Sequence, residues 1–163
     1  MPHHIAQVNI SLPIEPLDSQ RLADFVAALD PINALADATP GFVWRLQTED
    51  GNATAVGVLD DDRLIVNLSV WESVEALGQF VFRSAHTDVL RRRRDWFAPP
   101  VRPMTALWWI AAGTTPTVAD AEQRLRHLQV HGPTAYAFTF RETFPAPDAV
   151  APADPDERWF CPA

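Results

Sequence analysis

Lysine is missing from this chain; all 13 of its Lys and Arg positions are arginine. Such a bias belongs to the composition of a source genome and names no function. Cysteine occurs once, at Cys161, so no intrachain disulfide can form, which fits a reducing compartment. No apolar run approaches the roughly 20 residues that a membrane helix needs. The first residues lack a basic stretch followed by an apolar core, so no signal peptide is expected and the protein is expected in the cytoplasm. Positive charge is also short. With 21 acidic residues against 13 basic ones the net charge is −8, which argues against a nucleic-acid partner. Glycine is sparse, and no Gly-rich phosphate loop, nucleophile elbow or zinc spacing occurs.

What is present is an ordinary globular composition, 47% apolar and 21% charged over 163 residues, enough for one domain with a real core. His4 to Ser11 alternates, with Ala6, Val8 and Ile10 on one face and Ile5, Gln7, Asn9 and Ser11 on the other, which predicts a strand closed by Leu12-Pro13. Asp18 is placed to cap a helix from Ser19 to about Ala38, kinked or broken at Pro31. Phe42 to Gln47 reads as a second strand, with Phe42, Trp44 and Leu46 on one face. The acidic stretch from Thr48 to Asp62 reads as a hairpin connection to a third strand, Arg63 to Trp71.

Ser73 then caps one long helix running to Phe97, with Leu77, Phe80, Val81, Ala85, Val89 and Trp96 in its buried row and Phe82, His86, Leu90 and Phe97 beside it. Met104 to Ala112 is strongly apolar, as in a strand covered on both faces. Thr117 and Asp120 open a helix from Val118 to His131 that Gly132-Pro133 ends. A short strand is expected at Phe138 to Arg141. The domain then occupies residues 1–142, and residues 143–163 form a Pro/Ala/Asp-rich tail, extended or disordered.

The order β-α-β-β-α-β predicts an α+β, ferredoxin-like unit, an antiparallel sheet with helices on one face. A bare second face would expose Trp44, Trp108 or Trp109, so a homodimer covering it is expected.

Several residues are candidates for chemistry. His86 lies on the apolar side of its helix. It is either a partly buried histidine bonded to a backbone carbonyl or a general base or ligand kept neutral by its surroundings. Asn9 and Gln7 on the first strand, with Asn67 and Ser69 on the third, either meet solvent or line a pocket, and Arg45 shares their face and could hold an anionic group. Arg91 to Arg94 spread around a helix and read as a solvated surface near its negative end. His127 and His131 stand at i,i+4 spacing without a third ligand, and His3-His4 is an N-terminal pair.

Asp30-Pro-Ile-Asn-Ala-Leu-Ala, Pro40-Gly-Phe-Val-Trp-Arg-Leu-Gln, Val70-Trp-Glu-Ser, Ser84-Ala-His86 and Asp95-Trp-Phe97 occur in that order. On these motifs, over about residues 3–145, the chain resembles the family called domain of unknown function 3291. That family resembles the dimeric α+β barrel superfamily, which includes antibiotic-biosynthesis monooxygenases, haem-degrading monooxygenases and polyketide cyclases. The resemblance implies a site between helices and sheet in each protomer. By similarity to haem-degrading members, Asn9 matches their strand-one Asn and His86 their haem-ligating His. Their helical Trp has no counterpart, since Phe80 stands in that region and Trp71 precedes the helix.

The expectation is a protein that processes a small aromatic molecule, a cofactor-independent monooxygenase or a cyclase-like tailoring enzyme. His86 and Asn9 are its candidate catalytic residues; Asn67, Phe80, Trp71 and Arg45 line its substrate site. The alternatives are a haem-binding protein ligated by His86 and a non-catalytic small-molecule-binding or structural dimer.

Overall fold

A computed structural model describes residues 2–47, 59 and 61–149. Strand β1 (His3–Ser11) is central, paired antiparallel to β3 (Ile65–Trp71) on one side and to β4 (Thr105–Ala111) on the other. Strand β2 (Phe42–Arg45) pairs outside β3, giving the order β2-β3-β1-β4 of a ferredoxin-like sheet. Helices α1 (Ala23–Ala38), α2 (Val74–Arg83), α3 (His86–Arg91) and α4 (Arg93–Trp96) form the cover on one face. Ile5, Trp71 and Leu107 meet Ala36, Leu77 and Phe80 there.

The opposite face is not bare. Helix α5 (Val118–His131) lays Ala121, Leu125 and Leu128 against Val8, Val70 and Trp108, all of them buried within the single chain. Each such aliphatic burial contributes about 1.5–3 kcal/mol. The reason for expecting a second copy on this face falls away, because the chain supplies its own cover. The same helix explains why β4 is apolar on both sides.

Four further expectations change. The segment after Ser73 is three helices rather than one. Ser84 Oγ donates to the Phe80 carbonyl and accepts the His86 N–H (3.2 Å), so it closes α2 and opens α3. At Pro31, where a kink or a break was expected, α1 continues, so the break does not occur. The carbonyl that proline leaves without a helical N–H belongs to Ala27, which is exposed and open to water. Asp18 does not cap α1: the Ser19 N–H bonds the Pro16 carbonyl (3.0 Å), which puts Asp18 inside a turn, and a 3₁₀ turn at Gln20–Leu22 leads into the helix. Phe138 makes a single bridge to Leu107 in place of a last strand.

Strand β2 holds the change that matters most for the site. A register shift between Phe42 and Trp44 pairs Phe42 with Trp71 and Trp44 with Val70. Phe42 therefore joins the face under α1 and α2, and Trp44 the face under α5, although alternation put them together. Gly41 precedes the bulge with φ +86°, and a Cβ there would lie 2.5 Å from Ala76 Cβ, so only glycine fits between β2 and α2.

The hairpin expected over Thr48 to Asp62 falls mostly outside the described residues, as do 150–163 with Cys161. Residues 144–148 are held to the domain: Trp109 Nε1 donates to the Phe144 carbonyl (2.7 Å) and His3 Nδ1 meets Asp148 (2.7 Å).

Candidate active site

Along the face beneath α1–α4 the sheet changes character. At one end Ile5, Trp71 and Leu107 are packed. Moving along β1, Gln7 stands opposite Ser69, Asn9 opposite Asn67 and Thr105, and Ser11 opposite Ile65. Over this polar half lies a cavity of about 750 Å³, within the range of roughly 300–1,000 Å³ typical of small-molecule sites. Its roof is apolar, with Phe25 and Leu29 from α1, Phe80 from α2 and Phe97 after α4.

All six residues proposed from the sequence, His86, Asn9, Asn67, Phe80, Trp71 and Arg45, line this one cavity. Their polar groups are set by neighbours. Asn9 Nδ2 donates to Thr105 Oγ1 (2.7 Å), and Ser11 Oγ donates to Asn9 Oδ1 (3.3 Å). Trp71 Nε1 donates to Ser69 Oγ (3.0 Å), which bonds Gln7 Oε1 (3.4 Å), and the Trp71 ring stacks on Phe80 at 5.2 Å. Asn67 remains exposed to the cavity. Arg45 is already engaged: its guanidinium forks onto Asp37, Nε to Oδ1 at 2.8 Å and Nη2 to Oδ2 at 3.3 Å. Arginine held in that geometry braces β2 against the end of α1.

His86 owes its position to the break at Ser84. Being the first residue of α3, it turns back, so its ring lies 4.8 Å from Phe80 and Nδ1 is 3.3 Å from the Val81 carbonyl. A carbonyl only accepts, so Nδ1 carries the proton and Nε2 keeps its lone pair. Burial pushes the His86 pKa down and outweighs the opposing pull of the Val81 bond. A neutral imidazole with a basic Nε2 on a cavity wall can take a proton or bind a metal centre. His86 is thus the partly buried histidine bonded to a backbone carbonyl, and its other ring nitrogen is unpartnered among the described residues.

Sequence reasoning missed several wall residues. Arg93, one of the four arginines assigned to solvent, lines the cavity, while Arg91 pairs with Asp88 and Arg92 with Asp24 and Asp95. Arg102, Arg141, Asn33 and Thr105 also line it. Arg93 stands seven residues after His86, so helical spacing already put it on the His86 face, whereas Arg102 and Arg141 come from loops that no periodicity signals.

Among the described residues no group of three or more His, Cys, Asp or Glu stands together to hold a metal ion. Haem brings four nitrogens of its own and needs one protein ligand, for which His86 Nε2 is suited. His127 Nε2 meets Thr134 Oγ1 (3.1 Å), and its ring lies 4.4 Å from that of His131, away from the cavity.

A model of the family described as "Domain of unknown function (DUF3291)" matches residues 4–154. The chain belongs to this family. No curated protein matches it significantly. Among solved structures, this DUF3291 chain is similar to SnoaB, a cofactor-independent oxygenase from Streptomyces nogalater, at 18% identity and TM-score 0.42, over 69% of this chain and 95% of that one. It is similar to NE2512, a protein of unknown function from Nitrosomonas europaea, at 14% identity and TM-score 0.46, over 71% and 96%. It is also similar to Rv0793 from Mycobacterium tuberculosis at 17% identity and TM-score 0.43, over 70% and 99%. Among the described residues no helix is long and apolar enough to cross a membrane.

Proposed function

We propose that the cavity binds a small aromatic or polycyclic molecule and that His86 Nε2 takes a proton from it. The observation that carries this reading is the state of His86: pKa lowered by burial, Nδ1 bonded to the Val81 carbonyl, Nε2 unpartnered among the described residues, and the residue on the wall of a cavity that Phe80 and Trp71 also line. Asn9 and Asn67, adjacent on β1 and β3, orient the polar edge of the substrate.

The concrete form is a cofactor-independent monooxygenase. A phenolic substrate gives its proton to Nε2, and the phenolate passes electrons to dioxygen. One oxygen enters the ring and the other leaves as water, so phenol plus O₂ gives quinone plus water. A cyclase-like reaction would begin with the same proton transfer. General-base help of this kind is worth about 10²–10⁴-fold. The test follows oxygen uptake and quinone formation with a panel of polycyclic phenols, using wild type and folded His86→Ala. Turnover lost in the variant supports the role; undiminished turnover removes His86 from the mechanism.

One observation favours a second reading. The unpartnered Nε2 of His86 could also hold a haem iron, and haem would supply redox chemistry there. A Soret band shifted from that of free haem on titration, and not shifted in His86→Ala, would establish it, and no shift with the wild type would exclude it.

A further inference from the structure

The charge of the cavity opposes the charge of the protein. The chain carries 21 acidic and 13 basic residues, yet the described wall holds Arg45, Arg93, Arg102 and Arg141 and not one Asp or Glu. Arg45 is engaged by Asp37. Arg93 is half-buried and has no carboxylate or hydrogen-bond partner among the described residues. With Arg102 it also borders a smaller adjoining cavity where Ser11 ends β1 and Met104 precedes β4. The one described carboxylate in that smaller cavity, Asp61, is taken up by the Arg63 guanidinium (2.8 Å and 3.0 Å). A half-buried guanidinium without a counter-charge is costly unless something supplies one, and an apolar wall beside it strengthens its field.

We propose that the ligand of this cavity is an organic anion, a carboxylate-bearing aromatic whose acid group sits at Arg93 and Arg102. Its apolar body lies under Phe25, Leu29 and Phe97, and its polar edge faces Asn9 and Thr105. This rests on the small-molecule reading of the same cavity and adds the charge of the ligand. Guanidinium–carboxylate pairing selects the anion over a neutral isostere of the same shape, because the neutral head leaves both arginines unpaired.

The probes are 2-naphthoate and its neutral counterpart 2-naphthamide, titrated by calorimetry and by tryptophan fluorescence. Naphthoate is expected to bind at least about tenfold more tightly at low salt, with the preference shrinking as ionic strength rises. In the Arg93→Gln/Arg102→Gln double variant the preference disappears while naphthamide binding is retained. Arg93→Lys, which keeps the charge, retains much of it. Equal affinities in the wild type, or a preference that survives the double variant, overturn the anion assignment and leave the small-molecule reading standing. Binding of neither probe at millimolar concentration overturns both.

Discussion

Replacing His86 by phenylalanine keeps a flat ring against Phe80 and removes the titrating group, which isolates the charge state on which the proposed mechanism depends. Two effects compete at this residue. The Nδ1–Val81 bond favours the protonated ring by the worth of one long hydrogen bond to a carbonyl, about 1 kcal/mol. Burial against Phe80 and Val81 penalises the charge by more, since even partial removal of an imidazolium from water costs about 1.4 kcal/mol for each pKa unit it is displaced.

The folded pKa is therefore below the ordinary histidine value of about 6.5. The sign follows. Between the folded value and 6.5 the unfolded chain binds the proton and the folded chain does not. Stability from this residue is complete above about pH 6.5 and is lost as pH falls through the folded pKa. Urea unfolding of wild type and His86→Phe from pH 8 to pH 5 should give curves whose difference is flat near pH 7–8 and moves against the wild type below. The other four histidines are common to both proteins and cancel. Side-chain NMR of labelled histidine should place the His86 transition below 6.5 with the proton on Nδ1 at neutral pH. A transition at or above 6.5, or parallel unfolding curves, would refute the burial reasoning and with it the neutral base.

Ser84→Ala removes the Oγ that joins the Phe80 carbonyl to the His86 N–H; destabilisation of about 1–2 kcal/mol by chemical unfolding is expected, with faster amide exchange at His86 and a shifted His86 titration. An unchanged titration would show that the break does not depend on this side chain. Leu125→Ala opens a hole between α5 and the sheet and should cost about 2–5 kcal/mol. Because α5 already occupies that face, Leu125→Ala should leave the mass measured by light scattering unchanged; a dimer disrupted by Leu125→Ala would show that the face pairs between copies.

Much of the fold is local and was legible from the chain. Period-two alternation in β1 separates Ile10 from Asn9, and helical spacing with a Thr117–Asp120 capping box sets α5 from Val118 to His131. Ser73 caps α2 as its residue type predicts, accepting from the Ala76 N–H at 3.0 Å. Grouping of the site residues was legible for a similar reason: Asn9, Asn67 and Ser69 share a strand face whichever way the sheet is covered, because the side-chain period of a strand is two.

What the sequence determined by itself was therefore the four strands of the sheet, helices α1 and α5, their order and the polar stripe on one face. Tertiary structure decided three things. The bulge at β2 moved Phe42 to the opposite face from Trp44, because one extra residue reverses the alternation beyond it. The placement of α5 on the second face came from the need to bury Val8, Val70 and Trp108, which no local pattern assigns to a particular helix. And the break at Ser84 set His86 at the start of a new helix on the cavity wall. A serine bonding back to a carbonyl competes nearly evenly with one more turn of helix, and only packing against the sheet settles that contest.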